Sequence, residues 1–146
     1  MVIKTMSRGG TEYAFNFPKE ANQCQLRESA NQGQLWESSS YPMPILIWNV
    51  RGLNKKERRH DLKSHMAKLS PNMVVLVETK IRPHKEYRIW KCIPRYWDFV
   101  NKYEFSNLGR TWICWCPKIW SCHVINKAMQ QITVKATNKG EGGSNV

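Results

Sequence analysis

No run of about 18 apolar residues occurs in this chain, and without one no helix can span a membrane. The N-terminus also lacks the apolar core of a secretory signal, because Ile3 and Met6 stand isolated among polar residues. Cysteine is present but unpatterned. Cys24, Cys92, Cys114, Cys116 and Cys122 are odd in number and irregular in spacing, which excludes an encoded disulfide framework. Reduced thiols fit an intracellular compartment. Cys114-x-Cys116 followed by Cys122-His123 offers soft metal ligands on paper. The spacing is not that of a zinc finger or knuckle, and the first two lie in an apolar run, so core cysteines are expected.

Acidic charge is scarce. Eleven Asp and Glu face 23 Lys and Arg, a net charge of +12. The excess is not spread evenly. Lys4, Arg8, Lys19 and Arg27 cancel against Glu12, Glu20, Glu28 and Glu37 within residues 1–44, so all of it falls in residues 45–146. Such a field attracts polyanions, nucleic acid first and acidic lipid second. The length of 146 residues allows one modest domain.

Residues 1–44 read as a flexible polar leader. Glu20 to Ser40 is rich in Gln, Asn, Glu and Ser without sustained periodicity, too polar to offset the entropy of ordering it. Pro42 and Pro44 punctuate the boundary. Beyond it, Ile45–Val50 is an apolar run rich in β-formers, and Met73–Val77 is a second one. Between them Leu62, Met66 and Leu69 fall at i, i+4 and i+7, one face of a helix. Asn54 and Glu57 have the spacing of a capping box at its start, and Ser70-Pro71 stops it.

Strand, helix, strand makes a βαβ unit, and its crossover leaves the strands parallel. Parallel strands bring their C-terminal ends to one sheet edge, where ligands of open α/β sheets bind. Asn49 and Glu78 stand at those two ends. A carboxylate near a carboxamide, with Arg51, Lys55 and Lys80 close in sequence, can hold a hard cation and a phosphate together. Pro83 opens a short helix carrying Tyr87 and Trp90. An antiparallel meander is then expected from strands at 97–103, 111–116, 121–126 and 131–136, with a turn at 106–109.

Ile45-Leu46-Ile47-Trp48-Asn49-Val50-Arg51-Gly52-Leu53-Asn54 resembles the opening strand and turn of endonuclease/exonuclease/phosphatase domains, in particular the endonuclease of plant LINE-type (non-LTR) retrotransposons. Val75–Lys80, ending in Glu-Thr-Lys, is similar to that family's second motif, and Gly109–Pro117 to a third segment. The resemblance covers roughly the last hundred residues, in order and spacing. It implies an α/β fold, part of a four-layer sandwich, with Glu78 on a catalytic Mg²⁺ and Asn49 hydrogen-bonding the scissile phosphate or the attacking water. It also implies DNA as partner. Charge and position, apart from the resemblance, make Arg51, Lys55 and Lys80 at the strand ends and Lys55, Lys56, Arg58, Arg59, Lys63 and Lys68 along the helix the expected phosphate contacts, and an intracellular, nuclear location is expected.

Two positions depart from the family. Arg51 stands where abasic-site nucleases carry an acid, which fits the retroelement branch, and Cys116 stands where that branch usually has Asp. Such domains run to roughly 200–250 residues. Their later motifs, a Tyr-bearing strand, an Asp-x-Asn pair and a closing Asp-His, have no counterpart here, and His60, His65, His84 and His123 lie in other contexts. The expectation is a truncated domain without nuclease activity of its own, with one sheet lacking its partner. The alternative is a non-catalytic nucleic-acid-binding protein that uses the basic helix over residues 55–68. In that case Trp112, Trp115 and Trp120 are candidates for stacking on bases, although alternate strand positions favour the core.

Overall fold

The two apolar runs that open the domain pair side by side, and the rest of the chain is built around them. The computed structural model describes residues 2–7, 10–16, 34–36, 45–105, 110–129 and 131–140. In chain order the strands are β1 (Val2–Ser7), β2 (Gly10–Asn16), β3 (Gln34–Trp36), β4 (Ile45–Asn49), β5 (Met73–Val77), β6 (Asp98–Asn101), β7 (Thr111–Trp115), β8 (Trp120–Ala128) and β9 (Gln131–Asn138). Helix α1 spans Lys56–Leu69. After a 3-10 turn at Pro83–Lys85, a short helix α2 covers Tyr87–Trp90. Among the described residues no helix is long and apolar enough to cross a membrane.

β4 and β5 are parallel neighbours, in register from Ile45 opposite Met73 to Asn49 opposite Val77. They lie in a five-stranded sheet of order β3-β4-β5-β7-β6, and a four-stranded antiparallel sheet has the order β1-β2-β9-β8. The period of two along each central strand sorts side chains between two cores. Leu46, Trp48, Val74, Leu76, Trp112 and Cys114 face the helices, meeting Leu62 of α1 and Ile89 of α2. Ile45, Met73, Val75, Val77, Ile113 and Trp115 face the second sheet and meet Ile132, Val134 and Ala136 of β9. Burial on both faces is why these strands read as unbroken apolar runs. The result is an α/β fold with helices, mixed sheet and antiparallel sheet as three layers.

Helix α1 buries Leu62 fully, with Met66 and Leu69 partly buried against the same core. The expected capping box does not form. The N-cap is Lys55, with no side-chain bond to the helix, because Asn54 is engaged elsewhere. A missing cap costs about 1 kcal/mol. Burying one leucine contributes about 1.5–3 kcal/mol, so packing outweighs the defect. Ser70, in the left-handed region at φ 45°, closes the helix by donating its N–H to the Met66 carbonyl at 3.0 Å.

Three expectations need correction. Residues 1–44 are not simply a leader: β1 and β2 form a hairpin, β2 pairs with β9, and β3 pairs with β4. The remainder of the polar stretch, residues 17–33 and 37–44, lies outside the described residues. The meander is also broken up. β7 inserts between β5 and β6, and β8 with β9 leaves for the second sheet. A turn makes that switch, with the Cys116 carbonyl accepting the N–H groups of Ile119 at 3.1 Å and Trp120 at 2.9 Å. The turn expected at 106–109 lies outside the described residues. Finally, the expected sheet without a partner is not found, because the two sheets share a core through Ile132, Val134 and Ala136.

Among the described residues, one charged side chain is taken inside. Lys102, 5% exposed, donates from Nζ to the Met129 carbonyl at 3.2 Å and so ties the end of β6 to the β8–β9 turn. Burial, and then the neighbouring Lys127, lower its pKa to about 8, while Glu104 acts in the opposite direction. Between pH 8 and 10 the unfolded chain keeps this proton and the folded chain releases it, so this group makes stability rise with pH. Above pH 10 the sign is reversed by Tyr103, held neutral to about 12 by burial and then by Glu86. The melting temperature of the wild type, compared with Lys102→Met, is therefore expected to climb from pH 8 to 10. A flat difference would show that the folded chain keeps this proton as long as the unfolded chain does, so that burial does not lower the amine's pKa.

Candidate functional site

Because β4 and β5 run parallel, the loops leaving them start at one edge of the sheet. The ladder continues into those loops. Val50 N–H reaches the Val77 carbonyl at 3.0 Å, Gly52 the Glu78 carbonyl at 2.8 Å, and Leu53 the Thr79 carbonyl at 2.8 Å. Thr79 N–H is held in turn by the Arg110 carbonyl at 3.2 Å. Fully buried Val50, Leu53 and Ile81 anchor both loops from below.

Four of the five described residues with left-handed φ lie in these two loops: Arg51 at 46°, Gly52 at 98°, Glu78 at 55° and Lys80 at 54°. Only glycine adopts this region without penalty. Each of the others costs on the order of 1–3 kcal/mol, and such strain persists only where the surroundings over-determine it. The surroundings here are a side-chain clamp. Asn54 donates from Nδ2 to the Lys80 carbonyl at 2.8 Å and accepts from Arg88 Nη1 at 2.9 Å. Arg59 Nη1 donates to the carbonyls of Leu53 at 2.8 Å and Asn54 at 2.6 Å.

Asn49 and Glu78 are thereby brought to adjacent positions, Asn49 lying opposite the residue that precedes Glu78. Asn49 is 7% exposed, and its Oδ1 accepts the Arg51 N–H at 3.3 Å, which leaves Nδ2 as the group able to donate outward. Glu78 is exposed, and its carboxylate has no ion pair or hydrogen bond among the described residues. Arg51, Lys55, Lys56 and Lys80 are exposed around the two loops. Two of the assigned helix cations are less available. Arg58 approaches Asp61 at 3.9 Å, and Arg59 is committed to the clamp, so its assignment as a phosphate contact is corrected to a positioning role. Sequence reading missed Asn54 and Arg88 as clamp residues. Nothing in a single sequence signals that Arg88 reaches back 34 positions to Asn54.

Among the described residues no group of three or more His, Cys, Asp or Glu side chains is assembled. His65 packs edge-on against Trp48 at 4.9 Å, and His60 and His123 are exposed on α1 and β8. The donor set fits Mg²⁺ in one form only. That ion keeps several waters and often takes one or two carboxylates plus substrate phosphate, so Glu78 would be its protein ligand and a phosphate would complete the shell. Of the described cysteines, Cys92, Cys114 and Cys116 are buried and Cys122 is half-buried. Burial raises the thiol pKa values of Cys92 and Cys114, and burial followed by the Asp98 charge raises that of Cys122 to about 12. Trp112, Trp115 and Trp120 are buried, which removes them as stacking platforms. Compared with known proteins, the chain matches no family model, no curated protein and no solved structure.

Proposed function

We propose that this chain is a nucleic-acid-binding α/β domain descended from a Mg²⁺-dependent DNA endonuclease of the endonuclease/exonuclease/phosphatase kind, of retroelement type, which grips phosphodiesters at the β4–β5 edge without cleaving them. The observation that supports it is the pairing of Asn49 and Glu78 in two strained, clamped loops ringed by Arg51, Lys55, Lys56 and Lys80. Asn49 Nδ2 donates to a phosphate oxygen, and the four cations draw the backbone in and fix its register. Glu78 opposes a phosphate by charge when alone and favours it when a divalent ion lies between them. A bound Mg²⁺ would supply Lewis-acid polarisation of the phosphate there. Hydrolysis also needs a base for water. With no group of three or more His, Cys, Asp or Glu side chains assembled among the described residues, several transition-state contacts are missing, each worth about 10²–10³ in rate.

The test is duplex-DNA binding by anisotropy, with and without Mg²⁺, beside a plasmid-nicking assay. Without Mg²⁺, Glu78→Ala is expected to bind up to about fivefold more tightly than wild type, because a negative charge is gone. With Mg²⁺ the order reverses. Asn49→Ala weakens binding in both conditions, and no variant nicks. Nicking by wild type that both substitutions abolish would instead make the chain a working nuclease. Identical affinities throughout would remove the edge from consideration. A second reading, binding along α1, is favoured by exposed Lys63 and Lys68 further down the helix. It predicts that Lys63→Glu with Lys68→Glu costs more affinity than Glu78→Ala changes.

A further inference from the structure

Next to the clamped edge, on the helix-covered face of the five-stranded sheet, Tyr87, Trp90, Arg95, Trp97 and Phe99 line an open cleft of about 380 Å³. That volume is near the lower end for ligand pockets, enough for a single flat group. The floor is stiff. Phe99 stacks on fully buried Trp112 at 5.2 Å and 25°, and Trp90 meets both edge-on, at 4.8 Å from Phe99 and 5.8 Å from Trp112. Tyr87 and Phe99 nonetheless remain 49% and 42% exposed.

The rim is cationic. Lys91 Nζ lies 5.4 Å and the Arg88 guanidinium 5.9 Å from the Tyr87 ring, and Lys118 sits 5.7 Å from the exposed Tyr96 ring. Arg95 lines the cleft itself. Two acids flank it in sequence. Asp98 alternates with Phe99 along β6 and so points to the opposite face, and Glu86, at the N-cap of α2, is half-buried. With a net charge of +12, a second copy of this chain would be repelled from such a rim, and an apolar peptide would leave the cations unused. Aromatic faces interleaved with Lys and Arg match bases strung on phosphates.

We propose that this cleft takes an unpaired base of a nucleic-acid single strand, its ring against Phe99 and Tyr87 and its flanking phosphates on Lys91 and Arg95. The site is separate from Asn49 and Glu78 and stands whether or not they bind phosphate. Arg88, which also holds Asn54, places the cleft beside the clamped edge.

The experiment compares two strands with equal phosphate counts: an oligothymidylate of about 12 nucleotides and an abasic strand of the same length. Wild type is expected to prefer the base-bearing strand by about tenfold, as one stacked base commonly provides. Tyr87→Ala should remove most of that preference, and Tyr87→Phe should keep it. Thermal unfolding of Tyr87→Ala checks that the exposed position is not structural, and the ribose forms of both strands separate DNA from RNA as the source. Equal affinity for base-bearing and abasic strands overturns the proposal. So does an unchanged preference in Tyr87→Ala, or concentration-dependent dimerisation of the wild type that Tyr87→Ala abolishes.

Discussion

Trp112→Ala is expected to destabilise the protein by about 3–5 kcal/mol and to lower its melting temperature by roughly 10 °C or more. The indole is fully buried in the middle of the helix-side core, opposite Leu76 of β5. It touches Phe99 by stacking, and Trp90 and Tyr103 edge-on, the last at 5.7 Å. These neighbours come from β6, α2 and the segment after β6, so the cavity cannot close by moving one element. Small domains hold about 5–15 kcal/mol in total, and this loss takes a large share of it. Thermal or denaturant unfolding measures the effect. The cleft depends on the same ring, so single-strand binding should fall in parallel. A shift of only a degree or two would mean that the aromatic cluster is loosely packed.

Removal of residues 1–16 is expected to change association far more than melting temperature. β2 covers β9 over six positions, from Thr11 opposite Ala136 to Asn16 opposite Gln131. Each ladder bond contributes about 0.5–1.5 kcal/mol net, while fixing each residue of β1 and β2 costs about 1–2 kcal/mol, so the two largely cancel. What does not cancel is the open edge left on β9, whose unpaired N–H and C=O groups invite another chain. Hydrogen exchange gives the sharper readout. In the shortened chain alternate amides of β9 should lose protection, while those bonded to β8 keep it. Shortened and full-length chains with the same exchange pattern and solubility would restore the flexible leader that the sequence suggests.

The two apolar runs and the helical spacing of Leu62, Met66 and Leu69 were legible without a structure, because burial on a fixed period leaves a local mark. The shared edge of Asn49 and Glu78 was legible for a related reason: a short βαβ connection has essentially one topology. Asn54 was not. Its spacing to Glu57 is that of a cap, but Lys80 and Arg88 compete for the same side chain, and they are distant in sequence. Arg59 likewise reads as one more basic residue on a helix until two loop carbonyls are found to occupy it.

By itself, then, the sequence determined that Ile45–Val77 is a βαβ unit, that the excess positive charge lies in residues 45–146, and that a carboxamide and a carboxylate stand at neighbouring strand ends. Only the tertiary structure decided that β7 lies between β5 and β6, that β2 rather than solvent covers β9, and that the available aromatics are Tyr87 and Phe99 instead of Trp112, Trp115 and Trp120. The division follows from range. Periodicity records which way a residue faces within its own element, whereas edge pairing, clamps and clefts arise from partners tens of residues apart, chosen by which arrangement buries apolar surface and leaves the fewest backbone groups unpaired.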